Sequence, residues 1–158
     1  MRTEDFKLIK LKHDRIDDLV DLENCSMKTD TTFPLTKDEL TRLYEEGYVS
    51  YGFENEDSVL ISKVGFSKIE DKNYELDVCV HPDYRGGGMG HEIIKQSIDK
   101  FLSENPGSDI FLTVHPDNPA LRLYERLGFE AIKDDEDYKI NQTKNGPRIT
   151  MDYKKTNK

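Results

Sequence analysis

Arg85-Gly86-Gly87-Gly88-Met89-Gly90 follows the alternating stretch Tyr74–Val80 and precedes the periodic apolar residues Ile93, Ile94, Ile98, Phe101 and Leu102. That order predicts a strand, a tight turn and an amphipathic helix. The first N–H groups of a helix have no intrahelical partner and carry partial positive charge, and glycine lets a ligand come close to the backbone. The combination is an anion site suited to phosphate or pyrophosphate. It is not a Walker loop, because Gly90 is followed by His91-Glu92 rather than Lys and Ser/Thr, and it lacks the glycine spacing of a dinucleotide fold. On the strand before it, Glu75 and Asp77 share one face by two-residue alternation. His81 and His115 end the two strands that flank the helix, where they could relay protons or only terminate the strands. The four His have no metal-ligand spacing, and Cys25 and Cys79 suit no zinc motif, so no metal is expected. Cys79 reads as a small core residue.

The elements that must position these groups follow from pattern. Phe6–Lys12 alternates as a first strand; Asp14 is placed to cap a helix whose apolar face is Ile16, Leu19, Val20 and Leu22. A polar link runs from Ser26 to Thr32. Thr36 and Glu39 form a capping box for a helix with Leu40, Leu43 and Tyr44, stopped by Gly47. Three strands, Tyr48–Phe53, Val59–Ile69 and Tyr74–Val80, then run through tight turns as an antiparallel meander. A helix from Gly88 to Ser103 leads to the apolar strand Asp109–Val114, expected parallel to Tyr74–Val80 across the helical crossover. Asn118 and Pro119 open the next helix, with Ala120, Leu123, Tyr124 and Leu127 on one face and Gly128 at its end. Strands are expected at Phe129–Lys133, around Tyr138–Ile140, and at Arg148–Tyr153, with a loop from Asn141 to Pro147. The fold class is mixed α/β, α+β-like, in one domain spanning residues 1–158.

The 158 residues carry 23 Lys and Arg against 32 Asp and Glu, a net charge of −9. That argues against a nucleic-acid backbone as partner and is compatible with a cationic amine, although acidity also serves plain solubility. The N-terminal residues Met1–Asp5 lack a signal peptide's apolar run, and no stretch approaches the roughly 20 apolar residues of a membrane span. A cytoplasmic location, with no membrane partner, is expected.

Val80-His81-Pro82-Asp83-Tyr84-Arg85-Gly86-Gly87-Gly88-Met89-Gly90 resembles the acyl-CoA-binding motif of the GCN5-related N-acetyltransferase (GNAT) family, with Arg85, Gly88 and Gly90 at its three defining places. Asn118-Pro119-Ala120-Leu121-Arg122-Leu123-Tyr124-Glu125-Arg126-Leu127-Gly128-Phe129 is similar to the family's second signature, in the expected order. The resemblance is specific over residues 74–133. It implies a mostly antiparallel sheet of six to seven strands with a parallel, splayed pair in the middle, flanked by about four helices. It further implies acetyl-CoA as cosubstrate and an amine acceptor, either a small molecule or a peptide; a homodimer is left open.

Carried over residue by residue, the resemblance gives the backbone of Arg85, Gly86, Gly87, Gly88, Met89 and Gly90 to the CoA pyrophosphate. It gives the backbone of Val78 and Val80 to the pantetheine arm, with the Val80 N–H also facing the thioester oxygen. Asn118 would bond the pantetheine, or only cap its helix. Tyr124 would protonate the departing thiolate, a phenol with pKa near 10 being a suitable acid. Glu75 is the first choice for general base, as some family members use a Glu on this strand. The acceptor groove would lie between Ser26–Leu35, with Thr29, Asp30, Thr31, Thr32 and Phe33 as contacts, and the loop Asn141–Pro147. A non-catalytic acyl-CoA-binding sensor or scaffold is the competing reading.

Overall fold

The computed structural model describes residues 6–26, 36–86, 88–134, 137–138, 140–143 and 146–154. Met1–Asp5, the proposed acceptor contacts Thr29, Asp30, Thr31, Thr32 and Phe33, and Gly87 lie outside them. The strands are β1 (Lys7–Leu11), β2 (Val49–Glu54), β3 (Leu60–Glu70), β4 (Asn73–Val80), β5 (Asp109–Val114), β6 (Phe129–Ala131), β7 (Lys133–Asp134), β8 (Asp137–Tyr138), β9 (Ile140–Thr143) and β10 (Gly146–Tyr153). The helices are α1 (Ile16–Ser26), α2 (Lys37–Glu45), α3 (Met89–Glu104) and α4 (Leu121–Leu127).

The main sheet runs β1-β2-β3-β4-β5-β10-β6, with β9 added on β10, while β7 and β8 form a separate two-stranded ribbon. All its pairings are antiparallel except β4 with β5. The meander β2-β3-β4 and the helical crossover through α3 therefore match the expectation from pattern. Asn141–Pro147, expected as a loop, instead supplies the two arms of a hairpin, β9 and the start of β10, with Arg148 opposite Asn141 and Gly146 opposite Thr143. Strand pairing overrides the turn-like composition there.

Two helix starts also differ from expectation. His13–Arg15 forms a single 3-10 turn ahead of α1, with Lys12 rather than Asp14 at its cap position. Arg15 is held by Asp18 at 2.6 Å and Glu54 at 2.9 Å, which fixes this corner through ion pairs rather than through a cap. The helix expected from Asn118 begins at Leu121. The Asn118 side chain still works as a turn former: its Oδ1 accepts the Ala120 N–H at 2.8 Å. Of the expected Thr36–Glu39 capping box, the N-cap half is present, the Glu39 N–H donating to Thr36 Oγ1 at 3.2 Å, while the Glu39 carboxylate accepts the Thr36 hydroxyl at 3.0 Å. Gly128 ends α4 in the left-handed region at φ +109°.

The sheet separates two packing layers. On one side α3 lays Ile93, Ile94, Ile98 and Phe101 against Tyr51, Val64, Phe66, Leu76, Ile110 and Leu112. On the other, Leu19, Leu22 and Leu40 from α1 and α2 pack with Leu11, Leu60 and Cys79. Period-two alternation sends Leu76 toward α3 and Cys79 toward α1, so the odd residues of β4 face the α1/α2 side.

Candidate active site: a split between two parallel strands

β3 and β4 pair along the whole length of β4, from Glu70 opposite Asn73 to Ser62 opposite Val80. β4 and β5 pair only at their first residues: Asn73 with Asp109, Tyr74 with Ile110 and Glu75 with Phe111. Beyond Glu75 no register joins the two strands, although β5 is still paired with β10 from Phe111 to Val114. The parallel pair is therefore splayed, and Val78 and Val80 lie on its β4 arm.

The far end of that arm carries the glycine turn. His81 N–H donates to Ile61 O at 2.8 Å, and one 3-10 turn, Pro82–Tyr84, follows. Arg85 Nε reaches back to Val80 O at 3.0 Å, so its side chain ties the turn to the strand end. Gly86 and Gly88 have φ of +90° and +80°, and a Cβ at either would meet nothing within 4 Å. What these two positions demand is the left-handed conformation, not the space. Gly88 caps α3, no side chain caps that 16-residue helix, and Met89 is buried behind its first turn. A helix start with open glycines and no competing side-chain acceptor fits a phosphate-bearing cosubstrate.

At the near end stands Glu75, half-buried at the point where the ladder stops. Thr113 Oγ1 donates to its Oε2 at 3.5 Å, across the opening. Burial, then the neighbouring Asp77 charge, raises the Glu75 pKa above the ordinary carboxylate value, against the lowering effects of Thr113 and Arg148. A carboxylate with enhanced proton affinity is suited to take a proton from an amine.

Asp77, on the same face, is committed elsewhere. Its Oδ1 pairs with Lys63 Nζ at 2.6 Å, and the Tyr48 hydroxyl donates to its two oxygens at 3.1 and 2.9 Å. Lys63 is fully buried and also pairs with Glu23 of α1. Burial alone would lower the Lys63 pKa; Asp77, Tyr48 and Glu23 reverse this and raise it well above its ordinary value. Burial, with Asp77 beside it, keeps the Tyr48 phenol neutral by raising its pKa well above the usual value. Room for the Tyr48 ring comes from Gly65, where a Cβ would lie 1.7 Å from the Tyr48 hydroxyl oxygen. Sequence reasoning missed this cluster. The available signal was Gly65 inside a strand, which marks a close approach.

His81 and His115 share an identical tetrapeptide, Val-His-Pro-Asp, at residues 80–83 and 114–117. In both, the His Nδ1 accepts the N–H of the following Asp, at 3.1 Å. The two cleft strands thus end in matched turns, which accounts for both histidines locally. Asn118 sits half-buried just after the second turn, and Tyr124 packs edge-on to Phe129 with centroids 6.0 Å apart. A cavity of about 600 Å³ runs beside α4, lined by Leu121, Glu125, Phe129, Glu130, Ala131, Ile149 and Met151 rather than by Glu75. Among the described residues no group of three His, Cys, Asp or Glu is placed to hold a metal, and no helix is long and apolar enough to cross a membrane.

Residues 14–129 match the family model described as the acetyltransferase (GNAT) family. The chain belongs to that family. Over 63 residues it is 43% identical to a mycothiol acetyltransferase of Corynebacterium jeikeium, covering 39% of this chain and 18% of that protein. Over 75 residues it is 31% identical to the N-alpha-acetyltransferase 30 of Dictyostelium discoideum, covering 48% of this chain and 40% of that protein. The matched stretches thus span less than half of either curated relative. Among solved structures, a chimera of the Vibrio cholerae spermidine N-acetyltransferase SpeG with hSSAT superposes with TM-score 0.72 at 21% identity, over 94% of this chain and 95% of that one. The ribosomal-protein-S18-alanine N-acetyltransferase of Escherichia coli gives TM-score 0.72 at 18% identity, over 94% and 92%. At such identities the structures establish the shared GNAT fold.

Proposed function

We propose that this chain transfers the acetyl group of acetyl-CoA to a primary amine, of a small molecule or a peptide, by direct attack within a ternary complex. The observation that carries this reading is the opening of the β4–β5 ladder directly after Glu75, with the start of α3, which no side chain caps, beyond the other end of the same strand. Family membership supports the donor, and acetyltransferases of a polyamine and of a protein alanine share the fold.

In this reading the backbone from Arg85 to Gly90 holds the pyrophosphate, and the backbone of Val78 and Val80 orients the pantetheine arm with help from Asn118. Glu75 takes the proton from the amine nitrogen, directly or through water, as that nitrogen bonds to the carbonyl carbon. The Val80 N–H stabilises the charge growing on the carbonyl oxygen. The carbon–sulfur bond breaks, and the Tyr124 hydroxyl supplies the proton to sulfur. Asp77 is not the base, because Lys63 and Tyr48 occupy its oxygens. A cytoplasmic setting, where acetyl-CoA is made available, completes the proposal.

Thiol release from acetyl-CoA across a panel of amines tests it, comparing the wild type with Tyr124→Phe. Turnover of at least one amine is expected, with kcat reduced about 100-fold in the variant. Tight binding of acetyl-CoA with no turnover of any amine would instead establish a non-catalytic module.

A further inference from the structure

The acceptor side of the opening holds a cation that the transfer step does not use. Arg148 stands half-buried on β10, just before the residues that pair with β5. Its Nη2 donates to Thr113 O at 3.1 Å, and the hydroxyl of the same Thr113 donates to Glu75 Oε2 at 3.5 Å. One residue therefore separates a guanidinium from the carboxyl group assigned to the amine. Arg148 and Glu75 are near enough for their charges to interact.

The other half-buried arginine among the described residues, Arg15, is held by two carboxylates. Arg148 makes one hydrogen bond to a neutral carbonyl and no ion pair among the described residues. A guanidinium offers five donors in a planar fork whose natural partner is a carboxylate. Here the fork is anchored through one nitrogen beside an opening, with no protein carboxylate in contact among those residues.

We infer that Arg148 binds the carboxylate of the acceptor, and that the acceptor is a free amino acid whose amine lies beside Glu75. This rests on the reading of the opening as the acetyl-transfer site. A polyamine would bring a second positive charge toward Arg148. A peptide N-terminus has no α-carboxylate beside its amine, because that group is an amide. Only a zwitterion satisfies the carboxyl on β4 and the guanidinium on β10 together.

The test uses matched acceptors: free L-amino acids, their carboxamides, the corresponding decarboxylated amines, and spermidine. Each is assayed by thiol release with the wild type, Arg148→Gln and Arg148→Lys. The wild type should favour the free acid over its carboxamide by about 10- to 100-fold in kcat/KM, the range set by a hydrogen bond to a charged group. The carboxamide's amine is the more easily deprotonated, so basicity cannot produce that preference. R148Q should collapse the ratio through KM, and R148K should restore part of it. A wild type that favours spermidine or the carboxamide, or an R148Q that slows every acceptor equally, overturns the inference while leaving acetyl transfer intact. No turnover of any acceptor by any of the three proteins overturns both.

Discussion

The two faces of the main sheet solve different problems. Against α3, the core is aromatic and aliphatic: Phe66 and Phe101 stack with centroids 4.1 Å apart at 5°, and Tyr74 meets Phe101 edge-on at 4.8 Å. Against α1 and α2, the same strands bury Lys63 between Glu23 and Asp77, with Tyr48 closing the group. The apolar face is held by burial and close packing, which pH does not alter. The ionic face is balanced against a large desolvation cost, so the cluster by itself is weak evidence for stability. Its location says more. It fills the position next to Glu75, and the charge it holds on Asp77 is among the causes that raise the proton affinity of Glu75.

The largest effects should come from breaking each face once. Lys63→Met leaves the buried Glu23 and the partly exposed Asp77 without their counterion and should cost about 3–5 kcal/mol in urea unfolding. Phe101→Ala should cost a similar 3–5 kcal/mol through the cavity it opens. The two losses differ in pH dependence. Acidification should return part of the stability of K63M, because a protonated carboxyl is cheaper to bury, and should not help F101A selectively. Equal pH profiles for both variants would remove the distinction between the faces.

Next in size is Glu75→Gln, expected to lower kcat/KM by about 10²–10⁴-fold. It should also abolish the alkaline-rising limb of the wild-type profile, whose midpoint should lie above the ordinary value of 4.5. The same shift has a stability consequence of opposite sign. A carboxyl whose pKa is raised by folding makes no difference below its unfolded pKa, and it destabilises the fold increasingly as pH rises from there, in full once pH is above its folded pKa. E75Q should therefore melt slightly higher than wild type at neutral pH and identically at low pH.

A smaller break is Gly65→Ala, whose Cβ would lie 2.6 Å from Asp77 Oδ2 as well as against the Tyr48 hydroxyl. It should cost about 1–3 kcal/mol and lower activity by displacing Asp77, without touching the apolar face. The smallest is Thr36→Ala, which removes the α2 cap bonds and should cost about 1 kcal/mol by thermal melting, with turnover unchanged.

Much of the fold was legible because its signals are local. Alternation at Tyr74–Val80, the glycines of the following turn, the periodic face of α3 and the glycine after Leu127 each reflect a constraint within a few residues, and those elements stand where expected. The errors were also local signals, outvoted by partners distant in sequence. Asn141–Pro147 has turn composition, yet β9 pairs with β10 through it. Asp14 looks like a cap, yet Arg15 organises that corner through Glu54, 39 residues away. Of the candidate site, the glycine turn could be named from pattern, and Glu75 from alternation, which it shares with Asp77, together with the family resemblance. Lys63, Tyr48, Thr113 and Arg148 could not, since a polar residue in an alternating strand reads as solvent-facing whether or not a helix covers it.

The sequence by itself determined the strand, the glycine turn and the helix that follows: these are short-range features, and they form the same candidate anion site wherever the chain places them. Only the tertiary structure decided where the parallel ladder stops, that Asp77 is held by Lys63 and Tyr48 while Glu75 stands at the opening, and that Arg148 reaches the same Thr113 as Glu75. Those outcomes depend on β4, β5 and β10 meeting in one sheet and on α1 delivering Glu23 to Lys63. Ladder registry and the burial of charge are properties of the assembled layers, and no spacing along the chain encodes them.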